Sequence, residues 1–275
     1  MSPAPTRSHE HRLTIDAPAA DVWKAITSAE ELVRWFPLGA SVTPGPGGEI
    51  VYRWGELEGR CRILAWEPPQ HLRTGWMEAP ATARELAHAE TAHLAQRAAL
   101  AVDWFLESAG KTTHLRVVHS GFAPDAVWDK EFDGTNRGWT FELQALKHYV
   151  ERQRGQERRA SWVRLPVTLA PQEVWQRFTR PGPVFRTVAL DGLAAGDRFR
   201  LERADGEVLA GRVLVNHPPL EFAAVLDDGS LLRFGFEDCM GQPEAHAWLA
   251  TWGLPASDFT RREGAWRATL ARAFA

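Results

Sequence analysis

At 275 residues the chain exceeds the size at which one compact core is the usual solution, so two domains are expected. With 44% hydrophobic and 24% charged residues it has the apolar material for real cores, which excludes a largely disordered chain. A formal charge of -3 offers no basic field for a phosphate backbone, so nucleic acid is not an expected partner.

The N-terminal residues Met1 to Arg12 carry charges with no apolar run behind them, and His9-Glu10-His11 reads as a mobile terminus. No stretch approaches the ~20 apolar residues of a bilayer span, which points to a cytoplasmic protein. His11 to Asp16 is strand-like, and Pro18 stands where a helix can begin, because the missing N–H costs nothing there. Val22, Trp23 and Ile26 form a helical stripe; Leu32, Trp35 and Phe36 predict a second short helix ending at Pro37. From Glu49 the period changes to two. Five strands are expected, carrying Ile50, Tyr52 and Trp54; Cys61, Ile63 and Ala65; Leu72, Thr74 and Trp76; Val102, Trp104 and Leu106; and Thr113, Leu115, Val117 and His119. Helical spacing returns at Trp139, Leu143, Leu146 and Val150. Between Trp76 and Leu100, over 79–99, an insertion rich in Ala, Leu, Glu and Arg favours a helix that could serve as a lid or a contact.

The second half repeats this plan. Val22-Trp23 recurs as Val174-Trp175, 152 residues on, Leu57-Glu58-Gly59-Arg60 as Leu209-Ala210-Gly211-Arg212, and Pro68-Pro69 as Pro218-Pro219. Gly48-Glu49 is echoed by Gly196-Asp197, and Gly138, Trp139 and Leu143 by Gly264, Trp266 and Leu270, which makes duplication a better account than chance. The expected division is a first domain over 1–152, a charged linker over 153–160 and a second, reduced domain over 161–275. In the latter, strands are expected from Trp162 and near 197–203, 207–215, 220–226 and 230–237, with one strand lost before helices at 243–253 and 257–274. The fold class is α+β, with an antiparallel sheet in each domain covered by a long C-terminal helix.

The run IDAPAADVWKAITSAEELVRWF, Gly47-Gly48, Glu67-Pro68-Pro69, His119-Ser120-Gly121-Phe122 and Gly138-Trp139 together resemble the bacterial branch of the SRPBCC or START-like superfamily named after the activator of Hsp90 ATPase. The resemblance covers about residues 8–152 well and 160–275 in outline. It implies a helix-grip fold, a curved sheet around a helix with an apolar cavity, and it does not fix a reaction.

Signals of chemistry are sparse. No Gly-x-Ser-x-Gly elbow or phosphate-cradling loop occurs, and no catalytic residue is assigned. His88 and His93 are five apart, about 140° around a helix, so no metal is expected, and no cofactor. Cys61 and Cys239 lie in strand-like segments and read as buried thiols. Thirteen Trp against two Tyr suit cores and ligand walls alike. Tyr52 and His119 fall on the inward parity, where a polar group meets either a protein partner or a ligand. The candidate ligand-binding set is therefore Tyr52, Trp54, Trp76, Trp104, His119 and Trp139. Binding of a hydrophobic or aromatic small molecule is the expected function, with no enzyme activity required. The alternatives are a co-chaperone-like interaction module and an aromatase or cyclase acting on a polyketide-like substrate, with His119 or Tyr52 as acid or base. Outward-facing Arg60, Arg62, Arg73 and Arg116 weigh against an apolar docking face.

Overall fold

A computed structural model describes residues 6–77, 99–238 and 242–274. The chain divides into two units, residues 1–155 and 156–275. The expected insertion helix with His88 and His93 lies outside the described residues, as does Cys239.

In the first unit, β1 (Arg7–Ile15) leads into α1 (Ala19–Thr27) and α2 (Ala29–Leu32). Six strands follow: β2 (Gly39–Thr43), β3 (Glu49–Trp54), β4 (Leu57–Glu67), β5 (His71–Trp76), β6 (Ala101–Ala109) and β7 (Thr112–Phe122). They form one antiparallel sheet in the order β1-β7-β6-β5-β4-β3-β2. After a short turn of 3-10 helix, α3 (Asp129–His148) closes the unit. The His9-Glu10-His11 segment is not a mobile terminus. Strand β1 alternates over its whole length, with His9 and Ile15 buried and Ser8, Glu10, Arg12 and Thr14 exposed, and His9 pairs with His119 of β7. Alternation by itself carries the strand back past the charges that suggested a tail. The sixth strand, β2, escapes a pattern search because GASVT holds little apolar signal at the sheet edge.

Polar ties fix the helices to one another. Trp35, 1% exposed, donates its indole N–H to the Ala25 carbonyl at 2.9 Å. At the far end of the unit, Tyr149 donates to Glu31 Oε2 at 2.6 Å, and Glu31 is also paired with Arg34 and Lys24. A buried carboxylate with this many partners has its charge compensated in place.

The second unit runs β8 (Arg158–Pro166), α4 (Pro171–Thr179), β9 (Phe185–Thr187), β10 (Arg198–Arg203), β11 (Val208–His217), β12 (Glu221–Leu226), β13 (Leu231–Glu237), β14 (Glu244–Trp252) and α5 (Ala256–Phe274). Its sheet order, β8-β14-β13-β12-β11-β10-β9, reproduces the first. Strand β8 begins inside the stretch expected to be linker. The expected helix at 243–253 is strand β14, paired along its length with both β8 and β13, so no strand has been lost. Ala and Leu in EAHAWLATW favour a helix locally, and a complete ladder on both edges overrides that preference. Irregular pairing also recurs between Ile63 and Ala65 of β4 and between Val213 and Val215 of β11. Leu64, at the first of these, continues the outward row of Glu58 and Arg62 and is 50% exposed.

The two interiors differ. In the second unit, Phe178, Phe185, Phe222 and Phe234 are each fully buried, and Phe234 lies 4.8 to 5.5 Å from the other three. Arg203, 2% exposed, sits 5.2 Å over Trp266 and is paired with Asp205 and Glu207. This is a filled core.

The repeat-related glycines show the same difference. A Cβ on Gly211 would stand 2.0 Å from the Val225 carbonyl oxygen, whereas one on Gly59 would meet ring edges alone, Trp76 at 3.0 Å and Trp54 at 3.7 Å. Gly211→Ala should therefore cost about 3 kcal/mol or more and Gly59→Ala about 1 kcal/mol, read from urea midpoints; equal losses would contradict this packing.

Candidate functional site

Strand register assembles the site on the concave face of the first unit. Tyr52 of β3 faces Gly59 of β4, Cys61 of β4 faces Trp76 of β5, and Val102 of β6 faces His119 of β7, which in turn faces His9. Because side chains alternate along each strand, these residues share the inward side. Gly59 leaves the space that the rings of Trp54 and Trp76 occupy; both pass within 4 Å of where its Cβ would be.

All six residues expected from sequence join one continuous aromatic lining. Tyr52 and Trp54 lie 6.1 Å apart, with Phe36 edge-on to both at 5.3 and 5.2 Å. Trp76 packs against the cluster of Leu100, Phe122 and Trp128. Phe122 is 4.7 Å from His119, Trp139 donates its indole N–H to His119 Nδ1 at 3.0 Å, and Trp104 meets Trp139 edge-on at 5.3 Å. Phe36, Tyr52, Trp54, Trp76 and Trp139 are only half-buried, while Trp104 and His119 are buried.

Phe36, Gly59, Phe122, Phe132 and His9 belong to the lining and were not singled out from sequence. His9 could have been found by extending the β1 alternation back two residues; its ring lies 3.9 Å from Phe132 of α3. For Gly59 the signal was the repeated Leu-x-Gly-Arg motif, though nothing in it says which ring fills the gap.

Apolar surroundings set the protonation states. Burial pushes the His119 pKa down to about 3, with a smaller contribution from the neighbouring His9. Burial also lowers His9 and His11, and His11 adds repulsion to His9, while Asp133 acts the other way. Tyr52 is raised above the ordinary phenol range by burial, and the Cys61 thiol is pushed up to about 12 by the same cause. The site is thus a neutral, aromatic surface with polar points. Among the described residues no group of three or more His, Cys, Asp or Glu side chains could hold a metal ion. No helix among them is long and apolar enough to cross a membrane.

A curved seven-stranded antiparallel sheet closed by a C-terminal helix, with an aromatic interior, defines a helix-grip protein. Residues 16–151 match the family model described as Activator of Hsp90 ATPase homolog 1-like protein, and the first unit belongs to that family. No curated protein matches the chain. Among solved structures, the chain is similar to the Aha1 dimer from Colwellia psychrerythraea (18% identity, 54% of this chain and 99% of that one, TM-score 0.45). It is also similar to the protein MLL2253 from Mesorhizobium loti (21% identity, 54% and 99%, TM-score 0.44). Over nearly its whole length it is similar to BexL, the di-domain ARO/CYC of the BE-7585A biosynthetic pathway (17% identity, 98% and 96%, TM-score 0.40).

The histidines make stability pH-dependent. Their folded pKa values lie below the unfolded value near 6.5, so the unfolded chain takes up protons first as pH falls. Stability should be full above about pH 7 and decline below it, with His119 alone adding a slope of up to about 1.4 kcal/mol per pH unit down to about pH 3. Urea midpoints of wild type and His119→Gln at pH 7 and 4.5 check this; the variant should lose less on acidification.

Proposed function

We propose that the first unit binds a hydrophobic, aromatic small molecule between its sheet and α3, against the surface formed by Phe36, Tyr52, Trp54, Trp76, His119 and Trp139. One observation carries this reading: Phe36, Tyr52, Trp54, Trp76 and Trp139 of the first unit keep accessible surface, whereas Phe178, Phe185, Phe222 and Phe234 of the second are fully buried. Accessible apolar surface inside a curved sheet is the ordinary character of a ligand site, and its removal from water supplies about 25 cal/mol per Å². The Tyr52 hydroxyl supports the same reading, since it has no hydrogen-bond partner among the described residues.

Protonation states favour binding over proton transfer. A histidine with a pKa of about 3 is a weak base near neutrality, and a phenol raised by burial stays protonated. The outer face suits water better than a docked protein: Arg53, Glu58, Arg60 and Glu49 run across β3 and β4 as a chain of ion pairs.

Two measurements test the proposal. Native mass spectrometry of protein purified from its own host should retain an extra mass of a few hundred daltons that denaturation releases. The neutral fluorescent probe N-phenyl-1-naphthylamine should bind wild type, and Trp76→Ala or Trp104→Ala should weaken it at least about tenfold, as loss of a large buried aromatic contact requires. A chain that carries no extra mass and ignores the probe is not a small-molecule binder.

A further inference from the structure

His119 presents its two ring nitrogens in different states. Nδ1 lies 3.0 Å from Trp139 Nε1, and an indole nitrogen can only donate, so Nδ1 is the acceptor. The ring is held neutral by its surroundings, Phe122 at 4.7 Å and Trp139 edge-on at 6.1 Å. A neutral imidazole with Nδ1 accepting carries its proton on Nε2. That N–H has no acceptor among the described residues, although the His119 ring is buried, with 9% of its surface exposed. A buried donor in an otherwise apolar wall costs free energy unless something accepts from it.

We infer that His119 is a specificity-determining residue, selecting aromatic ligands that present a hydrogen-bond acceptor, such as a ring carbonyl, to its Nε2–H. The inference rests on the reading that the first unit binds an aromatic molecule, and adds a polarity to it. Trp139 is the positioning residue. Its indole fixes the tautomer, so the imidazole cannot turn an acceptor toward the ligand without abandoning the 3.0 Å bond. A ligand that placed its own N–H at this point would set donor against donor.

Three nearly isosteric probes separate the possibilities: 9-fluorenone carries a carbonyl, fluorene a methylene and carbazole an N–H at the same position. Titrated into the full-length protein by quenching of tryptophan fluorescence, 9-fluorenone should bind about five- to tenfold tighter than fluorene, the gain from one satisfied buried donor, and carbazole no tighter than fluorene. In Trp139→Phe the ring is released, and the ratio of fluorenone to carbazole affinity should fall toward one. Nitrogen-15 spectra of histidine-labelled wild type provide a check that needs no variant: the protonated Nε2 of His119 should shift on adding 9-fluorenone and move little with fluorene. Equal affinities for all three probes overturn the inference while leaving aromatic binding standing, and so does a preference for carbazole. Failure of every probe to bind overturns both.

Discussion

A single helix cannot cover a seven-stranded sheet, and the rest of each unit follows from that mismatch. With its side chains a helix is about 10 Å across, whereas seven strands at about 4.8 Å spacing span roughly 30 Å. The closing helices lie toward one margin: α3 packs on β1, and α5 on β8 and β14. The apolar face left over is covered in part by the short helices, α1 on β6 and β7 and α4 on β13, and beyond them by large side chains, or stays accessible. The second unit takes the first course, with stacked phenylalanines and a buried Arg203 beside Trp266. The first keeps tryptophan and tyrosine rings that cover the sheet and remain half-buried themselves.

The aromatic choice matters because the rings carry polar handles. Trp139 both walls the site and holds His119 in one tautomer, so a packing residue sets the chemistry of its neighbour. Burial raises Tyr52 and lowers His119, and the result is an interior with hydrogen-bonding points and little net charge. Under the proposed function, such an interior would discriminate by shape and by donor or acceptor pattern in preference to charge.

Much of this was legible in sequence, for identifiable reasons. Strict alternation at Ile50, Tyr52 and Trp54 and at Val117 and His119 assigned the inward face, and the repeated Val-Trp and Leu-x-Gly-Arg motifs disclosed the duplication. Strand identity failed where local preference and tertiary pairing disagree, as in β14, and where a short edge strand leaves almost no apolar signature, as in β2. The reduced second domain pointed to the smaller cavity, but for the mistaken reason of a lost strand, and the repeated motifs themselves do not separate a filled interior from an accessible one. Gly59 and Gly211 sit in matching motifs, and only the three-dimensional neighbours, rings in one case and a backbone carbonyl in the other, tell them apart.

That divergence bears on how the two copies can evolve. In the second unit any change toward a hollow must remove a phenylalanine touching several others, so each early step lowers stability before any gain is available. In the first, exchanges among half-buried rings alter the interior's shape at smaller energetic cost. Substitution can therefore reshape one interior while the packing of the other resists change.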